Sequence, residues 1–166
     1  MVFIRETSIG KVGIAEEDGY ITRLYLPTDN IPQDSELPEP PVIQQAFAQL
    51  ELYLSGNLQE FTLPLKPEGT SFMQRVWQKL LQVPYGQTAS YKDIAAAVGS
   101  PLATRAVGQA NHRNPIPIFI PCHRIIGSQG DLVGYGGGLE MKRTLLRLEG
   151  CQGKGMTSVL RRKTNA

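Results

Sequence analysis

The chain opens with short alternating runs and continues with helical spacings. Residues 2–4, 11–15 and 20–26 are rich in Val, Ile, Phe and Tyr, and Ile9-Gly10 and Asp18-Gly19 punctuate them. This pattern predicts a small antiparallel sheet. Residues 27–41 are rich in proline and acid and predict an irregular linker. From 42 to 54 the period changes: Val42, Ala46, Gln49, Leu50 and Tyr53 recur every three or four residues, and Ser55-Gly56 stops the helix. Residues 58–63 suit one more strand, and 64–70 form a connector.

Beyond the connector the pattern is mainly helical. Thr70 or Ser71 can cap a helix running to about Gln82, with Phe72, Val76, Leu80, Met73, Trp77 and Leu81 on its apolar stripe. Val83-Pro84-Tyr85-Gly86 ends it. Ser90-Tyr91-Lys92-Asp93 has the form of a capping box, and Gly99 is placed to close the short helix that follows. Ser100-Pro101 then starts a second helix to about His112. Leu102, Ala103, Ala106, Val107 and Ala110 form its apolar side, and Arg105, Gln109 and His112 its polar side. Two helices joined so tightly make a helix-turn-helix candidate, or an αα-hairpin that only packs. A last helix spans residues 139–149, with Met141, Leu145 and Leu148 inside, Lys142, Arg143 and Arg147 outside, and Gly150 at its end. The expected fold is α+β: an N-terminal antiparallel sheet domain with a helix (residues 1–63), the connector, a mainly helical domain (71–150) and a polar, disordered tail (151–166) with Cys151 incidental.

Composition narrows the function. The 166 residues carry a net charge of only +2, so any contact with nucleic acid must come from a local basic face. Two cysteines give neither a disulfide framework nor a four-ligand zinc site, and His112 and His123 add no metal spacing. We expect no metal and no cofactor. No signal segment or membrane-length apolar run is evident, which points to a reducing interior, the cytoplasm or, in a eukaryote, the nucleus.

Three features carry possible chemistry. In Asn114-Pro115-Ile116-Pro117-Ile118-Phe119-Ile120-Pro121-Cys122-His123-Arg124, a cysteine sits beside a histidine after a proline-stiffened run. A thiolate is the nucleophilic form of cysteine, so a nearby base matters. Neighbours on a strand point to opposite faces, so the pair can cooperate only if the chain bends, for which Pro121 is suited, or if a water bridges them. The competing reading is a buried structural cysteine beside a surface histidine. Val133-Gly134-Tyr135-Gly136-Gly137-Gly138 is a loop of little bulk, suited to a flat ring approaching backbone amides, or simply flexible. Glu149 is an acid in the last turn of a helix, where it opposes the helix dipole. Such local violations tend to mark function, and a histidine ring would offset the penalty.

These residues together resemble the O6-alkylguanine-DNA alkyltransferase family, whose motif reads Pro-Cys-His-Arg followed by two aliphatics, here Pro121 to Ile126. The likeness covers about residues 72–150 and includes Val83-Pro84-Tyr85-Gly86, Ser90-Tyr91, Arg105-Ala106-Val107-Gly108, Asn114-Pro115, Tyr135-Gly136-Gly137-Gly138 and Leu148-Glu149-Gly150. The resemblance implies irreversible transfer of an alkyl group from O6-alkylguanine in double-stranded DNA, with O4-alkylthymine a further candidate substrate, to Cys122. It implies that Glu149 holds His123, that His123 acts on Cys122 through a water, and that Asn114 braces them. It implies that the second helix enters the minor groove. Arg105 would replace the extruded nucleotide, Tyr91 would crowd its 3′ phosphate, and Lys92, Ser100 and Ser128 would approach the DNA backbone. Tyr135 would donate to the guanine within a pocket shared with Gly136 and Gly137. Where some members have serine this chain has Gly136, which removes a hydroxyl and leaves room for bulky O6 groups.

Extrusion follows from access, because a cysteine on a rigid bend cannot reach a base inside a duplex. The expected protein is a monomer that reacts once, with cooperative binding on DNA left open. Two rivals remain: a sensor that binds alkylated DNA without chemistry, and a cysteine hydrolase.

Overall fold

The computed structural model describes residues 1–151. They divide into two units, one of residues 1–68 with 115–119, the other of residues 69–114 with those from 120 onward. Among the described residues, no helix is long and apolar enough to cross a membrane.

The first unit is built on an antiparallel sheet in the order β1 (Val2–Thr7), β2 (Gly10–Glu17), β3 (Tyr20–Tyr25). Phe3 pairs with Ile14, and Ile14 with Leu24, so a row of apolar side chains is buried along one register. Helix α1 (Pro41–Leu54) buries Ile43, Ala46, Phe47, Leu50 and Tyr53. Ala46, Leu50 and Tyr53 of the expected stripe are in this face, and Ile43 and Phe47 take the places of Val42 and Gln49 because they offer more apolar area. The strand expected over residues 58–63 is absent. Gln49 takes that stretch by its side chain, accepting from the Thr62 amide at 3.0 Å and donating to Thr62 Oγ1 at 2.9 Å. Sheet pairing is displaced to the connector, where Ile21 bridges Leu65 in parallel. The segment 115–119 belongs to this unit: Leu24 N–H donates to the Pro115 carbonyl at 2.9 Å, and Phe119 packs edge-on against Phe61. Within it Ile118 has φ 73°, a left-handed conformation that costs a β-branched residue about 1–2 kcal/mol.

The second unit starts at α2 (Ser71–Leu80), capped by Thr70, whose hydroxyl accepts from the Met73 amide. Val76, Trp77 and Leu80 are buried, while Leu81 is 49% exposed and lies outside the expected stripe because the helix has ended. Trp77 Nε1 donates to the Ala110 carbonyl at 2.8 Å, satisfying one of the last carbonyls of the helix that ends at His112. Residue 69 must be glycine, since a Cβ there would lie 2.4 Å from the Trp77 ring.

Strand β4 (Ala89–Ser90) leads into α3 (Tyr91–Ala97) through the complete Ser90–Asp93 capping box. Helix α4 (Thr104–His112) begins later than the sequence suggests. Gly99 at φ 81° turns the chain, and the Ala103 amide bonds the Ser100 carbonyl, so 100–103 is a turn outside the helix. The buried face of α4 is Val107, Ala110 and Asn111; Leu102, expected inside, is 99% exposed. Helix α5 (Leu139–Leu148) ends in a Schellman motif, with Gly150 N–H on the Arg147 carbonyl and Cys151 N–H on the Leu146 carbonyl. Cys151 packs on Leu146 and Ile126, so it closes this motif rather than starting a loose tail. Residues 152–166, the rest of that expected tail, lie outside the described residues.

Candidate functional site

The bend at Pro121 is an inverse γ-turn. Pro121 has φ −80° and ψ 63°, and the Cys122 amide donates to the Ile120 carbonyl at 2.8 Å. A 3₁₀ turn follows over Cys122–Arg124, closed by Arg124 N–H on the Pro121 carbonyl. At three residues per turn, Cys122, His123 and Arg124 fan out at about 120° steps instead of alternating across a strand. All three are buried, with Cys122 4% exposed. The chain then forms β5 (Ile125–Ile126), which pairs in parallel with β4. That pairing fixes the start of α3, hence Tyr91, beside the cysteine segment.

Glu149 terminates α5 and reaches this turn. Its Oε2 lies 2.7 Å from His123 Nε2. Arg124 donates to the same carboxylate, Nε to Oε1 at 2.8 Å and Nη2 to Oε2 at 3.0 Å, while its Nη1 holds the Val83 carbonyl at 2.7 Å. The Gly86 amide adds a bond to Oε1 at 3.2 Å. Burial by itself would raise the carboxyl's pKa, but the hydrogen bonds and charges of His123 and Arg124 outweigh it and hold Glu149 down at about 2. An ionised carboxylate only accepts, so His123 must carry its proton on Nε2 and present Nδ1 as the basic nitrogen. Burial lowers the pKa of His123 against the pull of Glu149, and Arg124 and Lys142 lower it further. The resting triad is therefore anionic Glu149, cationic Arg124 and a neutral imidazole.

Asn114 spans the turn, its Nδ2 donating to the Ile120 carbonyl at 2.9 Å and its side chain hydrogen-bonding the Cys122 thiol. From α4, Asn111 Nδ2 reaches the Cys122 carbonyl at 3.4 Å. Burial pushes the Cys122 thiol up to about 11, with Asn114 and Lys142 pulling the other way. The sequence leads one to expect a cysteine ionised by its neighbour. Burial acts the other way and favours the protonated thiol, because removal from water disfavours the charged sulfur more than Asn114 and Lys142 favour it.

The other expected residues are distributed as follows. Tyr91 is partly buried, and its hydroxyl donates to the Val133 carbonyl at 3.1 Å; burial first, and then Cys122, raise its pKa to about 12, so it stays a neutral donor. Tyr135 is half-buried with its hydroxyl inside, Gly137 is buried, and Gly136 is exposed with open space where a Cβ would be. Lys92, Arg105 and Ser128 are exposed, and Ser100 is half-exposed in the turn before α4. Arg105 shares the outer side of α4 with Gln109 and His112. Among the described residues no group of three His, Cys, Asp or Glu side chains could hold a metal ion.

Two residues escaped the sequence reading. Arg124 is the second partner of Glu149; its signal was a guanidinium at the end of an apolar run that allows it few exits from the core. Lys142, expected outside, is fully buried. Its signal was the spacing Lys142, Leu145, Leu146, Glu149, at i, i+3, i+4 and i+7, which is the buried stripe of α5.

Residues 71–151 match the sequence model for the 6-O-methylguanine DNA methyltransferase, DNA binding domain, and residues 4–67 that for its ribonuclease-like domain. The constitutive methylated-DNA–protein-cysteine methyltransferase of Bacillus subtilis is 50% identical over 151 residues, covering 87% of this chain and 92% of its own. The methylated-DNA–protein-cysteine methyltransferase of Mycobacterium leprae is 49% identical over 147 residues, covering 87% and 88%. Among solved structures, Mycobacterium tuberculosis OGT in complex with DNA superposes with a TM-score of 0.81 at 44% identity, covering 89% of this chain and 91% of that one.

Proposed function

The chain belongs to the 6-O-methylguanine DNA methyltransferase family, and from that premise we propose that Cys122 is the residue that takes the alkyl group. The protein is a methylated-DNA–protein-cysteine methyltransferase: it repairs DNA by moving a methyl group from damaged guanine to a cysteine of its own. The observation that carries the assignment is the 2.7 Å contact between His123 Nε2 and Glu149, in the buried turn that also holds Cys122.

His123 removes the Cys122 proton as the alkylated base arrives. The sulfur attacks the alkyl carbon in line with O6, the carbon–O6 bond breaks, and its electron pair leaves with the guanine. Tyr135 then supplies a proton to the departing base. The product is S-alkylcysteine, a thioether with no route back, so each molecule reacts once. Glu149 and Asn114 position these groups. The high pKa of Cys122 gives the scheme its selectivity. A thiol that ionises only as the base docks is protected from stray electrophiles.

The partner is double-stranded DNA, and O6-alkylguanine is the lesion we assign to it. We assign Arg105 to the space of the extruded nucleotide, Tyr91 to its 3′ phosphate, and Lys92, Ser100 and Ser128 to the backbone. Arg105 is exposed on a helix whose nearby side chains, Ala106 and Gly108, are small, which suits close approach to a groove. Tyr135, Gly136 and Gly137 form the base pocket. Readout in the minor groove is degenerate, so little sequence preference is expected. We take the protein to act as a monomer in the cytoplasm, where its two unpaired thiols stay reduced.

The test is a duplex carrying one O6-methylguanine, mixed with protein and digested. Trypsin releases residues 114–124, which contain Cys122 alone among cysteines. One added methyl on this peptide, in equimolar amount, is the expected result. An unmodified peptide with tight DNA binding would indicate a sensor, and product beyond one equivalent a hydrolase.

A further inference from the structure

Lys142 is buried in the middle of α5, and its ammonium has no solvent to replace what burial removes. It is satisfied by backbone carbonyls from two segments: Ile125 at 2.5 Å, Val133 at 2.8 Å and Gly134 at 3.3 Å. Ile125 directly follows the Cys122–Arg124 turn. Val133 and Gly134 open the glycine loop that carries Tyr135. The Val133 carbonyl also accepts from the Tyr91 hydroxyl, and Lys142 Nζ lies 5.9 Å from the centre of the Tyr91 ring. One cation thus joins the cysteine turn, the base loop and the start of α3. Seven residues on, on the same face, the same helix carries Glu149. A straight helix separates the two by about 10.5 Å.

A buried lysine is an expensive way to hold two loops together. Cross-linking alone could be done by an apolar contact, which burial would favour. Burial drags the Lys142 pKa down to about 8, while Cys122 and Asp131 act to raise it. Lys142 in turn pulls the Cys122 pKa down. The groups around it are Cys122, Asp131, Tyr91, three carbonyls and the His123 imidazole, whose pKa it lowers; a neutral His123 tolerates its charge and the others favour or tolerate it.

We propose that Lys142 is the positioning residue of the alkyl transfer: it pins the base-receiving loop to the cysteine turn and supplies the fixed positive charge against which the Cys122 thiolate forms. This rests on Cys122 being the alkyl acceptor. Helix α5 then acts as a rule with two marks, Glu149 setting the base and Lys142 setting the nucleophile's field and the pocket wall.

The experiment compares wild type, Lys142→Met and Lys142→Arg in single-turnover transfer from a duplex carrying O6-methylguanine, with affinity for unmodified duplex measured alongside. Methionine keeps the length and removes the charge; arginine keeps the charge. Lys142→Met is expected to lose about a hundredfold in the saturated transfer rate, with DNA affinity within about twofold of wild type. The pH at which Cys122 reacts with iodoacetamide should move upward in Lys142→Met, and Lys142→Arg should recover part of both effects. A purely structural role would lower the melting temperature and the active fraction but leave the rate and pH profile of the folded fraction unchanged, which would overturn the proposal. Should Lys142→Met not fold, Lys142→Gln is judged by the same two readouts. Wild type is the control for the underlying assignment: if its own Cys122 takes no methyl, that assignment fails, whereas transfer in wild type and equal transfer in the folded variants defeats only the role of Lys142.

Discussion

Replacing Glu149 by glutamine changes one atom and reverses a proton. The carboxylate accepts from His123, from Arg124 twice and from the Gly86 amide. An amide oxygen in the Oε1 position keeps Gly86 and Arg124 Nε. Its NH₂ then faces His123 Nε2 and Arg124 Nη2. The first must become an acceptor, which moves the imidazole proton to Nδ1 and removes the base. The second is a donor facing a donor. Swapping a tautomer-setting carboxylate for its amide costs about 10⁴-fold in rate in the best-studied hydrolytic triad, so a loss of about 10³- to 10⁴-fold in single-turnover transfer is expected here. Stability falls too, because Arg124 is left buried without its counter-charge. Breaking such a pair costs about 3–5 kcal/mol, and the retained hydrogen bonds favour the lower end. At about 2–4 °C per kcal/mol for a chain of this size, the midpoint drops about 6–12 °C. The assay is methyl transfer from O6-methylguanine duplex, run below the variant's midpoint, with binding to unmodified duplex as the control for folding. Transfer within about threefold of wild type in a folded Glu149→Gln variant would refute the tautomer argument.

Further outcomes follow from the same site. Methylated protein should melt below fresh protein, since a methyl added to Cys122, a residue only 4% exposed, overpacks the turn at about 1–3 kcal/mol, read as a fall of about 2–12 °C by scanning calorimetry; equal midpoints would contradict it. With a thiol at about 11, Cys122 in free protein at pH 8 should label with iodoacetamide about 100-fold more slowly than in the unfolded chain, rising about tenfold per pH unit; fast labelling of residues 114–124 at pH 7 would show that the sulfur is already ionised. Acid stability carries a definite sign. His123 and Glu149 both have native pKa values below their ordinary 6.5 and 4.5, so the unfolded chain binds more protons. Stability is then complete above about pH 6.5, falls as His123 is forced to charge, and falls again between about 4.5 and 2; a midpoint that rises on acidification from pH 7 to 5 would be inconsistent with this. Because nothing lies within 4 Å of a Cβ at Gly136, O6-benzylguanine should react at a measurable rate; a rate undetectable beside the methyl substrate would count against an open pocket.

Local rules were legible wherever backbone chemistry decides. Asp18-Gly19 makes its turn with both residues at positive φ, Ser90 and Asp93 form the capping box in full, and Pro121 bends the chain as its fixed φ demands. Glu149 stood out because it broke a rule, and its burial beside His123 accounts for the breach. What failed depended on tertiary choices. Pro101 satisfies the rule for a helix start, yet the Gly99 turn and the Ala103–Ser100 bond delay α4 to Thr104 and leave Leu102 in solvent. Composition puts Lys142 outside because lysine rarely lies inside, and only the carbonyls of Ile125, Val133 and Gly134, brought together by the fold, make its burial tolerable. The resting state of Cys122 was also out of reach, since neighbours can be read in sequence but desolvation cannot.

The most direct measurement uses a duplex whose O6-methylguanine carries a labelled methyl, in excess over protein, followed by counting label per molecule and mapping it. One methyl per molecule is expected, all of it on the sulfur of Cys122, and none in Cys122→Ser. Label on any other residue, or a second equivalent released from the same protein, would contradict it.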